Sequence, residues 1–189
     1  VEFTDHVGSP LQEGLLLVHN TLRGVGLRDQ IRVGAAGKVI GVDMTDDMLE
    51  VARRNAPIVA ERIGFANVEF HKGRIQDLAL DLEILDAALK KAPIKDAASF
   101  LAAEALADDL RVKHPLVASD SVDVVVSNCV LNLVDPQHKR RLFEEIFRVL
   151  KNGGRAVISD IVSDEEIPMD LQKDPVLWSG CISGAFTED

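Results

Sequence analysis

Cysteine is scarce in this sequence. The 189 residues contain two, Cys129 and Cys181. That is too few for a disulfide framework, and the spacing is wrong for a zinc site. Taken by themselves, two such thiols read as buried small hydrophobes. Long apolar runs are absent as well. The longest near the start, Leu15 to Val18, falls far short of the roughly 18 residues of a membrane span. It is also too short for a signal-peptide core of about 7–15 residues. The expectation is a cytoplasmic protein with no membrane partner. Basic charge is outweighed, with 21 Lys and Arg against 31 Asp and Glu and a net charge of −10. That balance argues against a nucleic-acid partner, because phosphate binding needs a concentrated basic face. The short cluster Lys139, Arg140 and Arg141 reads as a solvated helix face. The five histidines His6, His19, His71, His114 and His138 show no ligand spacing and read as surface or structural residues.

Hydrophobic residues make up 47% of the chain, which with this length supports one globular domain over 1–189. There is no internal repeat. The sequence does not begin with Met and stops at Phe186-Thr187-Glu188-Asp189, so it reads as a fragment of a longer protein, truncated at the C-terminal side. Four segments read as strands: Lys38–Met44, Val68–His71, Val122–Val126 and Arg155–Asp160. The third is almost all Val, as suits a strand buried on both faces. Helical patterns lie between them. Thr45 reads as the cap of a helix running to about Gly64, with Asp46 and Asp47 in its first turn. Pro57 should bend or break that helix. Asp135-Pro136 opens another, with an apolar stripe of Leu142, Phe143, Ile146, Phe147 and Leu150, ended by Asn152-Gly153-Gly154.

Such alternation implies a mostly parallel α/β sheet. The Ala-, Leu- and Asp-rich stretch 80–116 reads as a helical insertion broken at Pro93. Residues 1–33 are a divergent N-terminal segment. Within it Leu15–Val18 reads as a short strand, or Leu11–Arg23 as a helix, and periodicity leaves both open.

Open α/β sheets bind ligands beyond the carboxyl ends of their strands. Asp43 stands at one such end and could accept the hydroxyls of a ribose while Met44 covers an adenine face. It could equally cap the next helix. After the next strand, Ile75 could pack on adenine and Gln76 bond its edge, or the segment is an ordinary turn. Beyond the Val strand come Ser127-Asn128-Cys129-Val130-Leu131-Asn132, polar groups beside a thiol.

At VIGVDMTDDMLEVAR, VDVVVSNCVLNLV, FRVLKNGGRAVISDIVSDEEIP and LWSGCISGAF the chain resembles arsenite methyltransferases of the class I S-adenosylmethionine-dependent family, over about Gly34 to Phe186. The resemblance implies a Rossmann-like fold with helices on both sheet faces. It also implies S-adenosylmethionine as cofactor. Cys129 and Cys181 match the cysteines that bind trivalent arsenic in that family, and soft As(III) suits thiolates. It further implies arsenite as substrate, arriving as a thiol conjugate, with glutathione or another small thiol as partner. Cofactor contacts fall to Asp43, Met44, Ile75, Gln76 and Asn128, with Gly24 and Gly26 as what remains of a glycine-rich turn. That turn departs from the family pattern. Leu22 to Gln30 keeps two glycines and Arg28-Asp29, but Gln30 stands where the family has cysteine, and the preceding acid is missing. Two other readings therefore stand beside the first. One is a catalytically silent remnant of the fold. The other is a methyltransferase for another small molecule, against which the two motif cysteines argue.

Overall fold

The computed structural model of the chain describes residues 38–188. The readings placed on Leu11–Arg23, Gly24, Gly26, His6 and His19 lie outside them. The described chain alternates strands and helices, and it divides into two compact units. The first holds residues 38–41 and 47–70, the second 42–46 and 71–188.

The β-branched run Val39–Asp43 forms β1, and Val68–Lys72 forms β2; each begins in the first unit and ends in the second. Val39 N–H donates to Asn67 O at 2.8 Å near one end of the pairing, and Gly73 N–H to Asp43 O at 2.9 Å near the other. The two strands therefore run in the same direction. Helix α1 spans Asp46–Ile63 without interruption at Pro57. This corrects the expected break. Proline only removes the hydrogen bond to the carbonyl of Arg53, and the turns before it are anchored. Leu49 is 2% exposed, and Arg53 donates to Phe70 O at 2.7 and 3.2 Å.

In the second unit α2 (Leu82–Lys91) and α3 (Ala97–Lys113) follow β2, with the break at residues 92–96. Each starts on an Asp. Asp81 accepts from Glu83 and Ile84 N–H, and Asp96 forms a capping box with Ser99. Leu80, Ala107 and Leu110 are buried between them, against Leu82, Leu85 and Leu106.

Strand β3 (Val122–Asn128) pairs in parallel with β4 (Leu150–Ser159). Val125 packs on the core, but Val124 and Val126 are 39% and 49% exposed, so the strand is not buried on both faces as its composition suggests. Successive side chains alternate, and one face alone is fully covered.

Between β3 and β4 a 3₁₀ turn, Pro136–His138, leads into α4 (Lys139–Val149). The buried stripe of α4 is Leu142, Ile146 and Val149. Phe147, expected on it, is 83% exposed. Five residues on from Leu142 it lies about 140° round the helix, whereas Val149, seven residues on, is nearly in line. The helix ends before Asn152-Gly153-Gly154, and those residues form a bulge inside β4. The register jumps there from Val122↔Leu150 to Val124↔Arg155, and Gly153 takes φ +81°. The short strands β5 (Val162–Ser163) and β6 (Phe186–Thr187), which no sequence pattern marked, pair in parallel around helix α5 (Pro175–Ser179). Among the described residues no helix is long and apolar enough to cross a membrane.

Candidate active site at the strand ends

Asp43 is the last residue of β1 and is half-buried. Its Oδ1 accepts from Thr45 N–H at 2.7 Å, which fixes the turn into α1. Among the described residues nothing donates to Oδ2, so one carboxylate oxygen remains for a hydroxyl donor. Gly73 lies against Asp43 through its N–H. A Cβ there would meet Leu116 Cδ2 at 2.7 Å and Val42 Cγ1 at 2.9 Å, so glycine is what lets the two strand ends close up. Met44 is 60% exposed beside Asp43. Ile75 packs against the Leu131–Ile146 cluster, and Gln76 is half-buried next to it. The segment is held by Asp77. This buried carboxylate takes Arg111 on both oxygens at 2.8–3.2 Å and Arg141 at 3.1 Å.

Asn128 ends β3, and Cys129 follows it. The structure brings Cys129 and Cys181 together from 52 positions apart, with Cys181 Sγ donating to Cys129 O at 3.2 Å. Cys129 is exposed and Cys181 buried. Both adopt the left-handed backbone region, φ +53° and +61°, which non-glycine residues rarely occupy and which clusters at functional sites. Cys129 Sγ also reaches Asn128 Oδ1, at 3.8 Å.

Four residues that the sequence did not single out hold this corner. Asp160, just beyond β4, accepts from Leu131, Asn132 and Ile161 N–H at 2.9, 3.3 and 3.0 Å. Asn132 is fully buried, and its amide donates to Ile161 O at 2.7 Å and Cys181 O at 2.9 Å. Gly184 lies so close to Asn132 that a Cβ would collide with the Asn132 carbonyl. Lys139 donates to Gly184 O and stands 3.9 Å over the Phe186 ring. Phe186 in turn meets Phe143 edge-on at 5.8 Å. Lys139 is thus no member of a solvated face. Its ammonium pKa is pushed down by burial, against a smaller opposing pull from Asp160. The signal that could have flagged Asn132 and Asp160 is their position just beyond β3 and β4.

Partial desolvation at Cys129 and burial at Cys181 raise both thiols above their ordinary pKa, and the Asp160 carboxylate adds to the rise. Both shifts favour the protonated thiol. Among the described residues no three of His, Cys, Asp and Glu converge on a metal-ion position, and His71, His114 and His138 join no such group.

The chain matches the family model described as a methyltransferase domain over residues 24–111 and 82–189. It belongs to the methyltransferase-domain family. This methyltransferase domain is 37% identical over 154 residues to an arsenite methyltransferase of Aquipseudomonas alcaligenes, covering 82% of this chain and 34% of that protein. It is 38% identical over 157 residues to an arsenite methyltransferase of Halobacterium salinarum, covering 83% and 29%. The chain thus spans about a third of the length of the curated relatives it matches. Among solved structures it is similar to an arsenic(III) S-adenosylmethionine methyltransferase from Chlamydomonas reinhardtii, with TM-score 0.55, 29% identity, and 86% of this chain and 43% of that one covered. The methyltransferase domain shares with that protein an α/β fold with parallel strands.

Proposed function

We propose that this domain transfers a methyl group from S-adenosylmethionine to trivalent arsenic held between Cys129 and Cys181. The observation that carries the reading is the convergence of the two thiols at the end of β3, with Cys181 Sγ 3.2 Å from Cys129 O. Similarity to arsenite methyltransferases and to an arsenic(III) S-adenosylmethionine methyltransferase supports it.

The residues present fit the cofactor. Asp43 has one carboxylate oxygen open for a ribose hydroxyl. Met44, Ile75 and Gln76 are assigned to the adenine, and Asn128 to the methionine end. Gly24 and Gly26 keep the glycine-turn assignment that the resemblance implies. When bound, S-adenosylmethionine supplies an electrophilic sulfonium methyl. The cysteines bind arsenic by exchange. Each thiol replaces a small thiol, glutathione or a similar one, on an arsenic trithiolate, and its proton leaves with the displaced thiol. Two raised-pKa thiols suit that proton-neutral exchange. A third sulfur would stay on the arsenic, leaving its lone pair as the nucleophile. Because that lone pair carries no proton, no general base is required. The domain then contributes position, from which effective molarity draws much of such a rate.

The test is titration of arsenite with glutathione into the chain, read by the fluorescence of Trp178, whose carbonyl accepts from Cys181 N–H at 3.0 Å. Calorimetric titration of S-adenosylmethionine accompanies it. Tight arsenite binding that is lost in both Cys129→Ser and Cys181→Ser supports the reading. So does adenosyl binding weakened by about 1–3 kcal/mol in Asp43→Ala. Equal arsenite binding in all three chains defeats it. If the domain binds arsenite but no adenosyl ligand at millimolar concentration, the silent remnant takes its place. The altered stretch Leu22–Gln30 is what favours that second reading.

A further inference from the structure

We propose that Asn132 is a positioning residue that sets the spacing of the two thiols, with Lys139 as a second clamp on the same loop. The inference rests on the two-thiol reading of the site. Asn132 is 0% exposed. Its two amide N–H groups are both in use, one on Ile161 O at 2.7 Å and the other on Cys181 O at 2.9 Å. Its backbone N–H is fixed on the Asp160 carboxylate. The side chain therefore ties the chain beyond β4 to the loop that carries Cys181, at a point where no neighbouring backbone supplies the bond.

The cost of this arrangement argues that it is selected for position rather than for packing. Asn132 Oδ1 is buried with no hydrogen-bond partner. A buried, unsatisfied amide oxygen destabilises a fold, and an apolar side chain of similar volume avoids the penalty. What an apolar residue cannot supply is two donors aimed at two carbonyls. One of those carbonyls belongs to Cys181, held at φ +61°. The same loop is pressed on Asn132 at Gly184, where no Cβ fits. It is gripped from the other side by Lys139, through Gly184 O and the Phe186 ring. Cys181 Sγ is thereby held against Cys129.

The experiment measures thiol spacing without arsenic. A bifunctional thiol reagent, dibromobimane, becomes fluorescent when both of its arms have reacted. The ratio of its second, ring-closing step to its first reports how near the second thiol lies. The expected result is a fall in that ratio of at least about tenfold in Asn132→Asp, which turns two donors into an acceptor facing two carbonyls. Single-thiol alkylation with iodoacetamide should stay unchanged, as a general loss of structure would not leave it. Lys139→Met should lower the ratio by a smaller factor, and Lys139→Arg, which keeps the cation and donor, should restore it. If Asn132→Asp fails to fold by circular dichroism, the Lys139 pair decides. Ratios within twofold of the parent in Asn132→Asp and Lys139→Met overturn the proposal. A parent that does not ring-close at all overturns it too. Ring closure that depends on Asn132 in a parent that does not bind arsenite leaves the positioning standing and removes the arsenic reading alone.

Discussion

The helical arm of α2 and α3 and the cysteine corner belong to one unit but are stabilised in opposite ways. The arm is built from neighbours in sequence. Asp81 and Asp96 cap its helices, and exposed pairs such as Lys90–Asp86 and Lys113–Asp109 run along its faces at i,i+4. Its interior is mostly apolar, with a cleft of about 270 Å³ bordered by Leu85, Leu89, Ile94 and Phe100 and, at one side, by the Arg111–Asp77 pair, its one long-range polar tie named above. The corner is built from residues that are distant in sequence. Asn132 reaches Cys181 across 49 positions, Lys139 reaches Gly184 across 45, and Asp160 reaches Leu131 across 29. Most of its hydrogen bonds are buried or part-buried, and its backbone is strained at Cys129 and Cys181. Local structure thus provides a scaffold that tolerates change, while the long-range polar corner provides geometry that does not.

Four perturbations would break or sharpen that contrast. The largest effect is expected at the apolar floor of the corner. Leu142 is fully buried, and Leu142→Ala should cost about 3–5 kcal/mol in urea unfolding. Leu101 of the arm is 63% exposed, and the same substitution there should stay within about 0.5 kcal/mol. Gly184→Ala comes next. Its methyl must displace the Asn132 carbonyl, so the loss should be about 2–3 kcal/mol and arsenite binding should fall with it. Removing a cap from the arm, Asp81→Ala, should cost about 1 kcal/mol and leave the Cys129–Cys181 ring-closure ratio untouched. The smallest change concerns pH. Alkylation of both thiols should rise with pH and inflect above the ordinary thiol value, because burial and then Asp160 disfavour the thiolate. Asp160→Asn removes the second cause, so the inflection should move down and the rate at neutral pH should rise a few-fold. An inflection below the ordinary value in the parent would contradict the burial of the corner.

The same contrast explains what was legible in the sequence. Strands β1 to β4, the arm and its break at Pro93 could be read, because periodicity, caps and proline act within a few residues. Cys129 and Cys181 could be picked out through the motifs around them. Asn132, Asp160, Lys139 and Gly184 could not be assigned tasks, because each meets its partner only after the chain has folded. Lys139 is the clearest case. Beside Arg140 and Arg141 it has the pattern of a solvated face, and only its approach to Gly184 and Phe186 shows otherwise. The Val-rich strand misled in the other direction. Its composition suited burial on both faces, but coverage is a property of the packed layers rather than of the strand, and Val126 is half exposed.

The left-handed backbone at Cys129 and Cys181 bears on how this domain can be engineered. Glycine or asparagine suits those dihedral angles better than cysteine does. A search for stabilising substitutions guided by backbone preference would therefore select positions 129 and 181 early, and a more robust protein would emerge without its thiols. Under the proposed two-thiol reading, durability and chemistry call for different residues at these two positions, so a thermostabilised version of this domain should be sought everywhere except there.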